Sequence, residues 1–173
     1  MTVTRFRLAL PTEADALAVF MTRNFLATYG ECSTPANVAA TVERHYGVAA
    51  QRRQLADTGC ANLLAEVDGE IAGLAQLRFD SQAPPGVEAL PALEISRFYV
   101  DTAWQGRGIA QALMVEARRI AAARGAKALW LSCWQEQTQA IRFYEKEGFR
   151  IAGTLVFAIG DDPKDDWLMV QAL

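Results

Sequence analysis

The sequence predicts an α/β domain layered around one mixed sheet. Three observations carry that prediction. Segments with the two-residue alternation of strands are interleaved with segments whose apolar residues recur at helical spacing. An Asp68-Gly69 pair separates two strand-like runs, as a two-residue hairpin turn requires. A strand-like run ending at Val100 passes through a short glycine-containing turn into an apolar-striped helix.

Taken in order, Phe6 to Leu10 alternates as a first strand, which Pro11 ends. Thr12 is placed to cap a helix, with Glu13 and Asp15 in the first turn, where the helix dipole favours negative charge. Leu17, Phe20, Met21 and Phe25 give that helix an apolar stripe to about Tyr29, where Gly30 stops it. Thr34 and Pro35 open a second helix, striped by Val38, Val42, Tyr46 and Ala50. Residues 61–67 and 71–79 are strands paired across Asp68-Gly69. Residues 80–91 contain Pro84-Pro85-Gly86 and form a loop. Residues 93–100 are again a strand. Residues 106–124 are a helix with Ile109, Leu113, Ala117 and Ile120 on one face, ended by Gly125. Residues 128–133 are a short buried strand, and 138–147 a helix closed by Gly148. Residues 149–159 and 167–170 are the last two strands. The order is β-α-α-β-β-β-α-β-α-β-β, with no internal repeat and no linker, so residues 1–173 read as a single domain.

The composition narrows the function classes. In 173 residues there are 17 Lys and Arg against 20 Asp and Glu, a formal net charge of −3, so non-specific nucleic-acid binding is disfavoured. An acidic pocket for a small cation remains open. Cys32, Cys60 and Cys133 are odd in number and widely spaced, which suggests neither a zinc ribbon nor a disulfide framework. His45 is the single histidine, which disfavours a histidine metal site or a Ser-His-Asp triad; no metal is expected. No apolar run approaches the ~20 residues of a membrane span, and the N-terminal run is too short for a signal peptide. A cytoplasmic protein with no membrane partner is the expectation.

The most informative segment is Val100-Asp101-Thr102-Ala103-Trp104-Gln105-Gly106-Arg107-Gly108-Ile109-Ala110. The first N–H groups of a helix lack internal partners, and the dipole adds about half a positive charge there. Glycine removes the Cβ and lets an anion approach the backbone. Arg107 adds a formal charge. The segment is neither a phosphate-binding Walker loop nor the dinucleotide fingerprint, which would need glycine at Gln111. Alone, such a turn reads more readily as a helix cap.

It does not stand alone. Gln105-x-x-Gly108-x-Ala110, following the strand that carries Glu94 and Arg97-Phe98-Tyr99-Val100, resembles the acetyl-CoA pyrophosphate motif of the GNAT superfamily of N-acetyltransferases. Ala140-Ile141-Arg142-Phe143-Tyr144-Glu145-Lys146-Glu147-Gly148-Phe149 is similar to a second signature of that superfamily. The resemblance extends over essentially the whole chain. It implies a mostly antiparallel central sheet flanked by helices, acetyl-CoA as co-substrate and a small-molecule amine as acceptor. It implies a cofactor site of Phe98, Tyr99, Val100, Gln105, Gly106, Arg107, Gly108, Ile109, Ala110, Gln137 and Tyr144, with backbone N–H groups near residues 98–100 polarising the thioester carbonyl. Gln137 stands where the family often has asparagine, so that contact is kept, water-bridged or lost. A homodimer is compatible with the resemblance.

The resemblance implies that Tyr144 is the general acid, because a phenol near ~10 can protonate a thiolate whose parent thiol is near ~8.5. The competing reading of Tyr144 is an aromatic on a buried helix face. Glu94 is the implied base. Its carboxylate, near ~4.3, needs burial or a water relay against an ammonium near ~10.4. Its competing reading is an ion pair with Arg97 or Arg78. Trp104, Trp130 and Phe143 read as packing, His45 as structural, and Trp134 as lining the acceptor cleft. Asp161, Asp162, Asp165 and Asp166 read as a solvated turn or as a lure for a polycation. Residues 131–134, 156–162 and 166–169 resemble bacterial spermine/spermidine acetyltransferases of the PaiA type, which suggests a polyamine acceptor. Amino acids, peptide N-termini and aminoglycosides remain alternatives, as does a non-catalytic acetyl-CoA-binding module.

Overall fold

The computed structural model describes residues 4–173. Its elements are β1 (Thr4–Leu8), α1 (Ala14–Tyr29), α2 (Pro35–His45), α3 (Val48–Ala56), β2 (Cys60–Val67), β3 (Glu70–Arg78), β4 (Ala92–Val100), α4 (Ile109–Ala123), β5 (Ala128–Trp134), α5 (Thr138–Lys146), β6 (Arg150–Ile159) and β7 (Asp162–Ala172). The seven strands form one sheet in the order β1-β2-β3-β4-β5-β7-β6. Every neighbouring pair is antiparallel except β4 and β5.

Most of the predicted elements are present, and the differences have local causes. Helix α1 begins two residues after Thr12. A short 3-10 turn over Pro11–Glu13 precedes it, and the Glu13 carboxylate accepts from the Leu10 N–H at 2.6 Å while pairing with Arg7 at 2.7 Å. The single helix expected over Val38 to Ala50 is two. Thr34 Oγ1 accepts from the Asn37 N–H and starts α2 as expected. Gly47 takes an extended conformation (φ −64°, ψ 163°) that breaks the helix, and Tyr46 turns fully into the core. The Asp68-Gly69 turn has positive φ at both positions, 51° and 84°, which matches the right-handed twist of the flanking strands. The last strand is longer than expected, and only Gly160-Asp161 separate it from β6.

Two layers cover the sheet. Leu113, Met114, Ala117 and Ala121 of α4 pack on Leu63, Ala65, Leu77 and Leu129. Leu17, Phe20, Met21 and Phe25 of α1, with Val38 and Tyr46, pack on Leu64 and Leu74 on the opposite face. Each such large side chain, fully buried, contributes roughly 1.5–3 kcal/mol. Val87, from the 79–91 segment, joins Trp130 and Leu168 in a third cluster, which places Trp130 in packing as expected.

Strands β4 and β5 pair only over Ala92–Glu94 and Ala128–Trp130. Beyond Glu94, β4 stays on β3 while β5 continues on β7, so the two strands splay. Within β4 one extra residue, Ser96, opposes the Gln76–Leu77 step. This β-bulge shifts the alternation by one and brings Glu94, Ser96, Arg97 and Tyr99 to the face toward α1–α3, while Ile95, Phe98 and Val100 join the α4 core. Ser96 Oγ donates to Gln76 Oε1, and Gln76 Nε2 donates to Asn62 and Gln54, so a buried amide network holds the bulge.

Candidate active site

Two cavities meet at the splay. A cleft of about 570 Å³ lies between the end of β4, the glycine turn, the start of α4 and α5. A chamber of about 220 Å³ lies on the face toward α1–α3 and is lined by Tyr29, Tyr46 and Phe157. Thr28, Phe98, Tyr99, Gln137, Ala140 and Tyr144 line both.

The glycine turn has the form an anion requires. Gly106 (φ 73°) and Gly108 (φ 79°) are in the left-handed region, and a Cβ at either would project into open space in front of the helix. Ala112 is the first residue of α4 whose N–H is bonded, to the Gly108 carbonyl. The N–H groups of Gly106, Arg107, Gly108, Ile109, Ala110 and Gln111 make no hydrogen bond among the described residues. The helix therefore begins at Ile109 rather than Gly106, and the two glycines lie in the turn itself. This open cradle of backbone donors fits a pyrophosphate.

The side chains around the turn take different parts. Gln105 Nε2 donates to the Val100 carbonyl at 3.0 Å and braces the turn. Arg107 lines neither cavity; its guanidinium stacks 4.9 Å over Trp104, which does line the cleft. Trp104 is thus a wall of the site as well as packing. Ile109 is buried in the core, so its N–H is what it offers the cleft. Asp101 is a turn residue as expected: it accepts from the Ala103 N–H and pairs with Arg23 of α1 at 2.5 Å.

At the splayed edge, the Asp101 N–H donates to the Ala72 carbonyl of β3. Strand alternation then turns the Tyr99 N–H toward β3 and the Phe98 and Val100 N–H groups toward the unpaired edge. Those two are the donors aimed at the junction of the cavities. Gln137, at the start of α5, lines both cavities, and its side-chain amide has no partner among the described residues.

Tyr144 is 8% exposed, and its ring is held between Phe98, Phe143 and Phe149. Its hydroxyl has no hydrogen-bond partner among the described residues, and the residue lines both cavities. Burial, reinforced by Cys133 and Tyr29, pushes its pKa well above the usual phenol, so it holds its proton. Phe143 stacks on Phe98, as packing requires, and also lines the cleft.

Glu94 lines the chamber at the point where the splay begins. It has neither of the ion pairs weighed for it. Arg78 pairs with Asp57 and Asp80, and no carboxylate lies within 4 Å of Arg97 among the described residues. The partner of Glu94 is the Ser81 hydroxyl, from the loop covering this end of the sheet.

The motifs assign no role in the site to four chamber residues: Tyr46 reads as helix stripe, Arg97 as a partner for Glu94, Ser132 as part of the 131–134 segment and Asp166 as one of four acids. Asp166, read as part of a solvated turn or as a lure for a polycation, lies in β7, 4% exposed, accepting from Ser132. Burial raises its pKa, the Ser132 hydroxyl opposes the rise, and Asp165 adds to it. Asp162 pairs with Lys164 and accepts from Ser33, so it serves the β6–β7 hairpin. Trp134 lines a shallow groove beside Cys32 and Lys164 rather than the chamber, and packs 5.7 Å from Tyr29. The three cysteines are free. Cys133 is buried, which raises its thiol to about 12, so it is no ready nucleophile.

A family model for the GNAT acetyltransferase family matches residues 24–149, which include the glycine turn and α5. The chain belongs to the GNAT family of acetyltransferases. An uncharacterized N-acetyltransferase of Mycobacterium tuberculosis is 34% identical over 163 residues, covering 94% of this chain and 99% of that protein. Another uncharacterized N-acetyltransferase, from Lactobacillus delbrueckii subsp. lactis, is 30% identical and covers 86% of each. Among solved structures, a PaiA N-acetyltransferase from Thermoplasma acidophilum in complex with coenzyme A superposes with a TM-score of 0.81 at 16% identity over 99% of each chain. That likeness is one of fold, and the GNAT fold is the one predicted. Family membership makes this chain an N-acetyltransferase that uses acetyl-CoA. No helix of the described residues is long and apolar enough to cross a membrane.

Proposed function

We propose that this GNAT enzyme moves the acetyl group of acetyl-CoA onto a primary amine of a small molecule by direct attack in a ternary complex. The observation that carries the proposal is the meeting of a phosphate-accepting cleft and a polar chamber at Tyr144. Acetyl-CoA, when bound, supplies a thioester carbonyl and a thiolate leaving group.

The chain's own groups divide the remaining work. Free N–H groups of the 106–111 turn hold the pyrophosphate, and Gln105 keeps that turn in place. The Phe98 and Val100 N–H groups polarise the carbonyl, because donors fixed by a strand need no reorganisation during reaction. Glu94 takes the ammonium proton through water and releases it to solvent, and the free amine attacks. As the N–C bond forms and the C–S bond breaks, Tyr144 donates its proton to sulfur and the second amine proton leaves by the Glu94 route. Solvent returns a proton to Tyr144. Burial disfavours phenolate and thiolate alike, so a raised Tyr144 remains matched to its task. Gln137 lies at the junction with a free amide, which supports retention of the cofactor contact.

The polyamine expectation finds two carboxylates in the chamber, Glu94 and Asp166, and one unpaired cation, Arg97. A small amine is served by the first two; a polycation would have to sit against the third. The decisive experiment is free-thiol release from acetyl-CoA with an amine panel of spermidine, spermine, amino acids, peptides and aminoglycosides. Amine-dependent thiol release bears out the proposal. Tight acetyl-CoA binding with no turnover on any amine would make the chain a binding module instead.

A further inference from the structure

The chamber contains two opposite charges that the protein leaves unmatched. Arg97 lines it, and its guanidinium has no carboxylate within 4 Å among the described residues. Its one hydrogen bond runs from Nη1 to the carbonyl of Ser96, the residue before it. Its Nε is shielded from solvent and has no acceptor. The Tyr46 ring, 5.2 Å beneath, holds the guanidinium without neutralising it. Tyr46 is itself fixed through the Tyr99 hydroxyl at 3.3 Å. Arg97 is absent from the coenzyme cleft, so the cofactor phosphates do not account for it.

Asp166 is the counterpart. It is 96% buried by its 4% exposure, lines the same chamber, and uses one oxygen to accept from Ser132. Among the described residues its Oδ1 is buried and unpartnered, and no Lys or Arg pairs with it. A buried carboxylate oxygen without a donor, or a guanidinium edge without an acceptor, is costly in a folded protein unless a ligand completes it. A cation alone leaves Arg97 unpaired and brings like charges together. A plain anion does the same to Asp166. A zwitterion satisfies both.

We infer that the acceptor is a free amino acid, its carboxylate held by Arg97 and its ammonium group seated by Asp166 before transfer. This rests on the acetyl-transfer reading above for its chemistry but not for its binding. The β-bulge at Ser96 makes it possible: in a regular strand Arg97, three residues from Glu94, would fall on the opposite face from it. The chamber walls contributed by Tyr29, Phe157, Leu131 and Ala140 leave room for a side chain of apolar or mixed character.

The test uses matched pairs. The protein is assayed for thiol release and, separately, for direct binding by calorimetry. The probes are the common amino acids, with phenylalanine, methionine and lysine set against 2-phenylethylamine, 3-(methylthio)propylamine and cadaverine, together with spermidine. At least one amino acid is expected to exceed its decarboxylated amine about tenfold to a hundredfold in kcat/KM and in affinity, the span of one charge-assisted contact. Arg97→Gln should erase that ratio, and Arg97→Lys should restore part of it. Calorimetry with acetyl-CoA should give unchanged affinity in both variants, which shows that they are folded. Amino acids that bind in an Arg97-dependent way without thiol release would sink the transfer reading and leave the chamber as an amino-acid binding site that is not an acceptor site. Turnover of spermidine or the decarboxylated amines in preference to every amino acid, or a ratio unmoved by Arg97→Gln, would overturn it.

Discussion

The Tyr144 ring stands edge-on to Phe98, with centroids 6.1 Å apart and planes at 70°. Phe98 lies on the strand that leaves the sheet partner β5 at Glu94, and Tyr144 lies on the helix that follows β5. The contact therefore spans the splay and fixes the phenol at the junction of cleft and chamber.

Tyr144→Phe keeps that ring packing and removes the hydroxyl. It should lower kcat by about tenfold to a thousandfold with little change in acetyl-CoA affinity, the pattern of a lost general acid. Steady-state kinetics beside calorimetry checks it. An unchanged kcat would reduce Tyr144 to packing.

Gly108→Val should abolish acetyl-CoA binding. The residue has φ 79°, and the new side chain would project into the open approach to the α4 N-terminus. The backbone conformation adds about 1–3 kcal/mol of strain, so thermal denaturation should show a folded but weakened protein. Arg107→Ala should weaken binding less, because Arg107 stacks on Trp104 and lines neither cavity. Equal losses in the two variants would move the phosphate site away from the backbone.

Glu94→Gln should reduce kcat/KM most near neutral pH and recover partly at higher pH, where more of the acceptor is already the free amine. The pH profile is the discriminating measurement. A uniform loss across pH would assign Glu94 to holding the loop through Ser81 rather than to proton transfer.

His45 sets a stability trend in mild acid. Burial, then the charges of Arg97 and Arg44, hold its pKa below the ordinary 6.5. In the window below 6.5 the unfolded chain binds a proton that the folded chain refuses. The stability linked to this group is full above 6.5 and declines as pH falls toward the folded value. Asp166, raised by burial, acts with the opposite sign: its contribution to stability grows as pH falls. Subtracting the Tm profile of His45→Gln from that of the parent between about pH 7.5 and 5.5 should isolate the histidine as a downward slope toward acid. A flat difference would place His45 in solvent.

The local signals were legible in the sequence where a single element decides its own structure. Turn chemistry fixed Asp68-Gly69, apolar spacing fixed α1, α4 and α5, and the glycines around Arg107 marked a turn that lines the same cleft as Tyr144. These depend on backbone preference and on periodicity, which residues a few positions apart settle among themselves. The break at Gly47 escaped because the stripe of Val38, Val42, Tyr46 and Ala50 is continuous in spacing, whereas burying Tyr46 under Arg97 required the chain to turn. The chamber was decided only by tertiary structure. Ser96 is an unremarkable serine until β3 pairs past it and makes it a bulge, and that one-residue shift alone turns Arg97 toward Glu94. Asp166 reads as one acid among four until β7 lies against β5 and buries it beside Ser132. Register between strands far apart in sequence is set by long-range pairing and by which face finds a core, so the sequence by itself determined the family, the fold and the glycine turn, and the assembled sheet determined which charges line the chamber.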